Sequence, residues 1–212
     1  MDRFAGILLA GGRSSRMGTS KAHLDWSGMP LVEHLARLLR ELLDGPVVVV
    51  GAPGQTLPTL PDGVETGEDA HAGRGPLEGL AAGFRAIGDR AGAAYVSATD
   101  VPLLRPEVVK LVTGALAEPS DAVVPQVGGR MYPLTAAYRT RVLATVERHL
   151  DEDRRRAADL LSALEVRWLG EDELRRVDPE LQSLVNLNSP EDYEAALAVR
   201  RAWASSSRSG CV

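Results

Sequence analysis

Cysteine occurs once in this chain of 212 residues, as Cys211. A lone thiol forms neither an intramolecular bridge nor a cysteine-based zinc site, which suits a reducing compartment. Long apolar runs are missing too. The stretch Ile7-Leu8-Leu9-Ala10 is far below the roughly 20 residues a membrane helix needs. Asp2-Arg3-Phe4 ahead of it offers neither a basic n-region nor a cleavage pattern. The expectation is a soluble, cytoplasmic protein with no membrane partner. A basic face is also lacking: net charge is −5, with both signs interleaved along the chain. That argues against a nucleic-acid partner and leaves any anionic ligand to a local site. There is no repeat, no low-complexity tract and no interdomain linker. At 44% hydrophobic the chain can bury one sizeable core.

What is present alternates. Residues 3–10 form an apolar run closed by Gly11-Gly12, and Val47-Val48-Val49-Val50 is a second run without a polar face. Both suit fully buried strands. Between them, Leu31, His34-Leu35, Leu38-Leu39 and Leu42-Leu43 recur at helical spacing from Pro30 to the stop at Gly45-Pro46. Residues 51–75 are rich in Pro and Gly, with one short strand near Val64-Glu65, and a segment of this kind is usually functional. A helix is predicted from Pro76, with Leu77, Leu80-Ala81, Phe84 and Ile87 as its stripe. Residues 93–98 read as a strand. Further helices are expected near 106–117, 140–150, 155–164 and 190–203, with strands near 122–125, 133–138 and 165–169. This is the pattern of a single three-layer, Rossmann-like α/β domain with a mostly parallel sheet. The domain is expected to span 1–203, followed by a flexible tail over 204–212.

The first chemical signal follows the first strand: Leu9-Ala10-Gly11-Gly12-Arg13-Ser14-Ser15-Arg16-Met17-Gly18-Thr19-Ser20-Lys21. Glycines let backbone N–H groups approach an anion, and the basic residues neutralise it. The segment matches neither a Walker A loop nor G-x-G-x-x-G, and its plain alternative is a solvated basic turn. The second signal, Ser97-Ala98-Thr99-Asp100-Val101-Pro102, puts a carboxylate at the end of a buried strand, where Mg²⁺ needs a hard oxygen ligand. Its alternative is a cap for the helix after Pro106. Glu68-Asp69 and Gly75-Pro76-Leu77-Glu78-Gly79 come next, opening a helix whose N-terminus can face phosphate. Gly79 can equally serve close packing. The last signals are Arg154-Arg155-Arg156, which can be a solvated face, and Asn186-Leu187-Asn188-Ser189-Pro190-Glu191-Asp192, in which Ser189-Pro190 reads as a helix start. The four histidines show no metal spacing, and Ser14 and Ser15 lack a Ser-His-Asp context.

In order and spacing, these motifs resemble the nucleotidyltransferases that include the molybdenum cofactor guanylyltransferases, across about residues 5–200. The resemblance implies the nucleotide-diphospho-sugar transferase type of fold and transfer of GMP from GTP to molybdopterin with Mg²⁺. It implies that Leu9, Ala10, Gly11 and Gly12 meet base and ribose, and that Arg16 and Lys21 grip the triphosphate as catalytic residues. Asp69, Gly75 and Gly79 belong to the GTP site, and Asp100 holds the metal. Arg155, Arg156 and Asn188, the last at the end of an expected strand, are assigned to molybdopterin, and Arg154 has no clear counterpart. Two departures stand out: Ser20 occupies a place where many relatives have Asp, and Gly51 follows Val50 where an Asn is expected.

The implied chemistry is in-line displacement at the α-phosphorus by a phosphate that is already anionic, so no general base is required. Molybdoenzymes and other cofactor-biosynthesis proteins are the expected transient partners. The near alternative is a CTP-dependent molybdopterin cytidylyltransferase or a related sugar- or alcohol-phosphate nucleotidyltransferase. Relatives using CTP tend to carry Ala-Ala-Gly where this chain has Ala10-Gly11-Gly12, which favours GTP. A non-catalytic nucleotide-binding cofactor carrier is a second alternative, opposed by Lys21 and Asp100 together. An oxidoreductase would need the missing glycine fingerprint.

Overall fold

A computed structural model describes residues 3–11, 20–69 and 75–209, with backbone alone for 204–209. The β1 (Phe4–Leu9) and β2 (Val47–Gly51) runs are buried along almost their whole length, as expected for strands covered on both faces. With β3 (Val64–Glu68) and β4 (Ala93–Ala98) they form the parallel half of an eight-stranded sheet, ordered β3-β2-β1-β4. The sheet continues through β7 (Ala136–Arg139), which runs antiparallel to both β4 and β5 (Ala122–Val127). The two-residue β6 (Arg130–Met131) pairs antiparallel with the end of β5, and β8 (Val166–Leu169) pairs parallel with it.

Strand alternation divides the core in two. Leu8, Val47, Val49, Tyr95, Val123 and Ala137 face one layer, built on α1 (Leu31–Leu42), α3 (Pro106–Gly114) and α7 (Pro190–Ser209). Ile7, Leu9, Val48, Val50, Ala94 and Val96 face the other, built on α2 (Pro76–Ile87), α4 (Leu143–Asp151) and α5 (Ala157–Leu161). Each large aliphatic side chain buried in this way contributes about 1.5–3 kcal/mol. The one-turn α6 (Glu171–Arg175), which escapes the periodicity reading, lies between β8 and α7. No helix among the described residues is long and apolar enough to cross a membrane.

The connections place the site. From β1 the chain crosses over α1 to β2, moves outward to β3, then returns over α2 on the opposite face to β4 on the other side of β1. The strand order therefore reverses between β1 and β4, and ligands of open α/β sheets bind at the carboxyl ends of strands at such a point. Register puts Leu9 opposite both Val50 and Ala98, so the segments after β1, β2 and β4 leave the sheet at one level.

Two regions differ from the sequence reading. Residues 185–188 are not a strand, so Asn188 does not end one; they form an irregular strap whose Leu187 N–H donates to the Asp100 carbonyl at 2.7 Å. The last helix runs to Ser209, crossing the position where helix was expected to stop. It docks through an aromatic cluster: Trp26, fully buried, lies 6.2 Å from the His34 ring and 6.4 Å from that of Tyr193. The Tyr193 hydroxyl donates to the Asp25 carbonyl, and the Arg200 guanidinium sits 5.2 Å over Trp26.

Arg200 also donates to Nε2 of His34 at 3.3 Å, which requires that nitrogen to be unprotonated. Burial, reinforced by the Arg200 charge, pushes the His34 imidazole down to about 4. In the window between the ordinary value of 6.5 and about 4, the unfolded chain binds a proton that the folded chain lacks. His34 therefore favours the folded state above that window and loses this contribution as pH falls through it. The expected outcome is a drop in Tm from about pH 7 to about pH 5 that is larger in the wild type than in His34→Gln. Equal drops by differential scanning fluorimetry would remove His34 as the cause.

Candidate active site

Leu9, Ala10, Gly11, Lys21, Asp69, Gly79 and Asp100 lie at the carboxyl edge of β1–β4 in two groups. The first surrounds Asp69, directly after β3, whose N–H donates to the Gly51 carbonyl at 3.0 Å. Its carboxylate lies between β1 and α2. A Cβ placed on Gly79 would fall 3.0 Å from both Asp69 Oδ1 and Leu9 Cδ2, and one on Gly11 would fall 3.4 Å from Asp69 Oδ2. Glycine at position 79 therefore lets α2 press close to the Leu9 side chain and leaves space for a half-buried carboxylate. Asp69 Oδ1 is buried without a hydrogen-bond partner among the described residues. Burial, then repulsion from Glu78, raises the Asp69 carboxyl to about 6. An orphaned carboxylate oxygen of this kind is an acceptor awaiting N–H donors.

The backbone next to it is less open than the motif suggests. The N–H groups of Ala10 and Gly11 both donate to the Val50 carbonyl, at 2.8 and 3.2 Å, and the Leu9 carbonyl accepts from Thr99. Gly12 and Arg16 lie outside the described residues.

The second group surrounds Asp100. Lys21 opens a short 3-10 turn, Lys21–His23, and its Nζ donates to the Leu187 carbonyl at 2.5 Å while lying 3.7 Å from Asp100 Oδ2. Asn186 Nδ2 donates to that same Oδ2 at 3.2 Å, and Asn188 Nδ2 donates to the Asn186 carbonyl at 3.3 Å. Asp100 Oδ1 is buried with no partner among the described residues. The carboxylate is thus held through Oδ2, and its buried Oδ1 has hydrogen-bonding capacity that the described residues do not use. The helix-cap alternative fails, because the N-cap of α3 is Arg105, whose N–H donates to Ser183 Oγ. For Ser189 capping does hold: its Oγ accepts from Asp192 N–H at 3.2 Å, and the Asp192 carboxylate accepts from the N–H groups of Asn188 and Ser189.

The basic cluster is split. Gly75 caps α2 with φ +91°, a conformation that favours glycine, and a Cβ there would fall 3.3 Å from the Arg155 carbonyl. Arg155 thus backs onto the start of α2, and its guanidinium pairs with Asp153. Arg156 is exposed at the N-cap of α5, and Arg154 pairs with Glu152. Two residues not nominated from sequence also belong here. Asn186 carried a signal, being the first Asn of the N-x-N motif; Gln55, which bonds to Ala10 and Ser20, carried none.

This arrangement has known counterparts. Residues 6–168 match the family described as MobA-like NTP transferase domain. The molybdenum cofactor guanylyltransferase of Desulfosudis oleivorans is 35% identical over 203 residues, covering 95% of this chain and 98% of that protein. The chain belongs to this family. Among solved structures, molybdopterin-guanine dinucleotide biosynthesis protein A from Archaeoglobus fulgidus superposes with a TM-score of 0.76 at 25% identity. That match covers 93% of this chain and 99% of the other. The family's motif residues here fall on both sides of the β1/β4 switch point, where the fold places a ligand.

Proposed function

We propose that the chain transfers GMP from GTP to molybdopterin, with release of pyrophosphate. The observation that carries this reading is the pair of buried carboxylate oxygens, Asp69 Oδ1 and Asp100 Oδ1, which lack a partner among the described residues and lie on opposite sides of β1 at one sheet edge. Guanine offers N1–H and N2–H₂ donors that Asp69 can accept, whereas cytosine has no equivalent pair. A site built for such pairing rejects a base lacking it more strongly than a size mismatch would.

Asp100 fits a divalent cation. Mg²⁺ keeps several waters and is bound through one or two carboxylates plus substrate phosphates, and Asp100 presents one hard oxygen. Among the described residues no group of three or more His, Cys, Asp or Glu is arranged to hold a metal, so substrate oxygens and water would complete the shell. When bound, the ion would neutralise charge on the triphosphate. Lys21 supplies a fixed positive charge beside Asp100, and Arg16 is assigned to the triphosphate with it. A phosphate oxygen of molybdopterin forms the new bond to the α-phosphorus of GTP as the bond to the β-phosphate oxygen breaks, and pyrophosphate departs with that electron pair. The nucleophile is already ionised, so the side chains bind, orient and neutralise charge.

The deciding experiment is a calorimetric titration of GTP, ATP, CTP and UTP with Mg²⁺. GTP is expected to bind most tightly, and its affinity to weaken below about pH 6 as Asp69 gains a proton. Equal affinity for CTP would overturn the GTP assignment.

Asp100→Ala is expected to abolish turnover with little change in Tm, since Asp100 lies at a strand end and outside the core. Retention of more than about a tenth of the wild-type rate, a loss of only ~1.4 kcal/mol, would rule out the metal role.

Arg155, Arg156 and Asn188 are assigned to the incoming molybdopterin phosphate, since guanidinium groups match phosphate geometry. The placement of Arg155 at the start of α2 supports this. Arg155→Ala/Arg156→Ala is expected to weaken molybdopterin binding and leave GTP affinity nearly intact. The reverse pattern in separate titrations would exchange the two roles.

A further inference from the structure

Gln55 lies in the loop after β2, outside every motif considered above. Its side-chain amide is fully engaged. Nε2 donates to the Ala10 carbonyl at 3.1 Å and to Ser20 Oγ at 3.3 Å, and Oε1 accepts from Ala52 N–H at 2.9 Å. Ala10 and Ser20 are the two ends of the basic glycine-rich segment. One side chain, from 45 and 35 residues away, therefore ties both ends together and to the exit of β2. Ser20 is bonded covalently to Lys21, whose Nζ meets the Leu187 carbonyl and faces Asp100.

We infer that Gln55 is a positioning residue: its amide clasps the two ends of the nucleotide loop and thereby holds Lys21 in register with Asp100. This rests on the nucleotidyl-transfer reading. Both Nε2 hydrogens and one Oε1 lone pair are already used within the protein, so Gln55 acts through the loop and does not read the base itself. Bringing the two ends of a chain segment together carries an entropic cost. A clasp made before substrate arrives removes that cost from binding and keeps the lysine near its working geometry. A side chain of the same size without donors cannot replace it, because the Ala10 carbonyl accepts and offers no proton.

The test compares Gln55→Ala, Gln55→Glu, Ser20→Ala and the double variant Gln55→Ala/Ser20→Ala with the wild type. Each is measured for Mg–GTP titration, kcat and KM, Tm, and amide exchange of peptides spanning residues 10–24. Gln55→Ala, which removes three hydrogen bonds, two of them to the loop ends, is expected to weaken GTP binding roughly tenfold and to lower kcat by a smaller factor. Exchange over 10–24 should quicken with little change in Tm. Gln55→Glu should be no better than Gln55→Ala despite its matching size. Ser20→Ala should lose less than Gln55→Ala, and the double variant no more than Gln55→Ala, because Ser20 acts through the clasp. Wild-type exchange in Gln55→Ala, wild-type kinetics in Gln55→Glu, or fully multiplicative losses in the double variant would each overturn the clasp. Failure of the wild type itself to bind GTP would instead overturn the nucleotide reading, and exchange over 10–24 would still decide the clasp.

Discussion

The strap at residues 185–188 is tied to the sheet edge by a small set of hydrogen bonds. Leu187 donates its N–H to the Asp100 carbonyl and accepts from Lys21 at its own carbonyl, while Asn186 reaches the Asp100 carboxylate. The three segments concerned are far apart in the chain, and these contacts tie them together beside Lys21 and Asp100. A 3.7 Å separation between a lysine and a carboxylate that are each about a fifth to a quarter exposed contributes little by itself. The strap changes this by occupying one carboxylate oxygen and one direction of the ammonium group. The remaining oxygen stays buried with no partner among the described residues.

The strap is held because α7 is held. Buried Ala196 and Leu197 join the core on the α1 face, and the Trp26, His34 and Tyr193 rings fix the first half of the helix against the turn after Lys21. Lys21 is therefore anchored from both sides, by its own turn and by the helix that follows the strap. Asp69 obeys a different constraint. Its setting depends on the close approach of α2 to β1, which needs glycine at position 79 and the Leu9 side chain turned toward that layer. The two groups are built against opposite faces of the sheet, Asp69 on the α2 side and the Lys21–Asp100 pair on the α7 side.

Much of this was readable in the residues. The Val47–Val50 run, the Leu31–Leu43 stripe and the prolines at 76 and 106 mark elements by steric and burial rules that act locally, and the structure places them within a residue or two. Asp100 could be singled out because it ends a strand-like segment, and Asp69 because it matches an acidic residue of the family the chain resembles. The antiparallel insertion of β7 between β4 and β5 was not readable, since four buried residues carry no mark of direction. A strand ending at Asn188 is the expectation from sequence, yet the hydrogen bonds of residues 185–188 go to side chains and to scattered carbonyls and form no ladder. Gln55 was invisible for a related reason. A lone glutamine in a loop has no period or motif, and its importance comes from two partners that only the fold brings near.

The distance in sequence between the strap and the turn it completes also bears on how the protein is made. A ribosome delivers the chain from its N-terminus at about 5–20 residues per second. The glycine-rich segment, both carboxylates and most of the sheet are therefore outside the exit tunnel well before Leu187, which follows Lys21 by 166 residues. Until Leu187 emerges, the chain has the Gln55 contacts to Ala10 and Ser20 but lacks the carbonyl that Lys21 meets. The contacts between the strap and the Lys21–Asp100 pair are therefore among the last to form at this sheet edge.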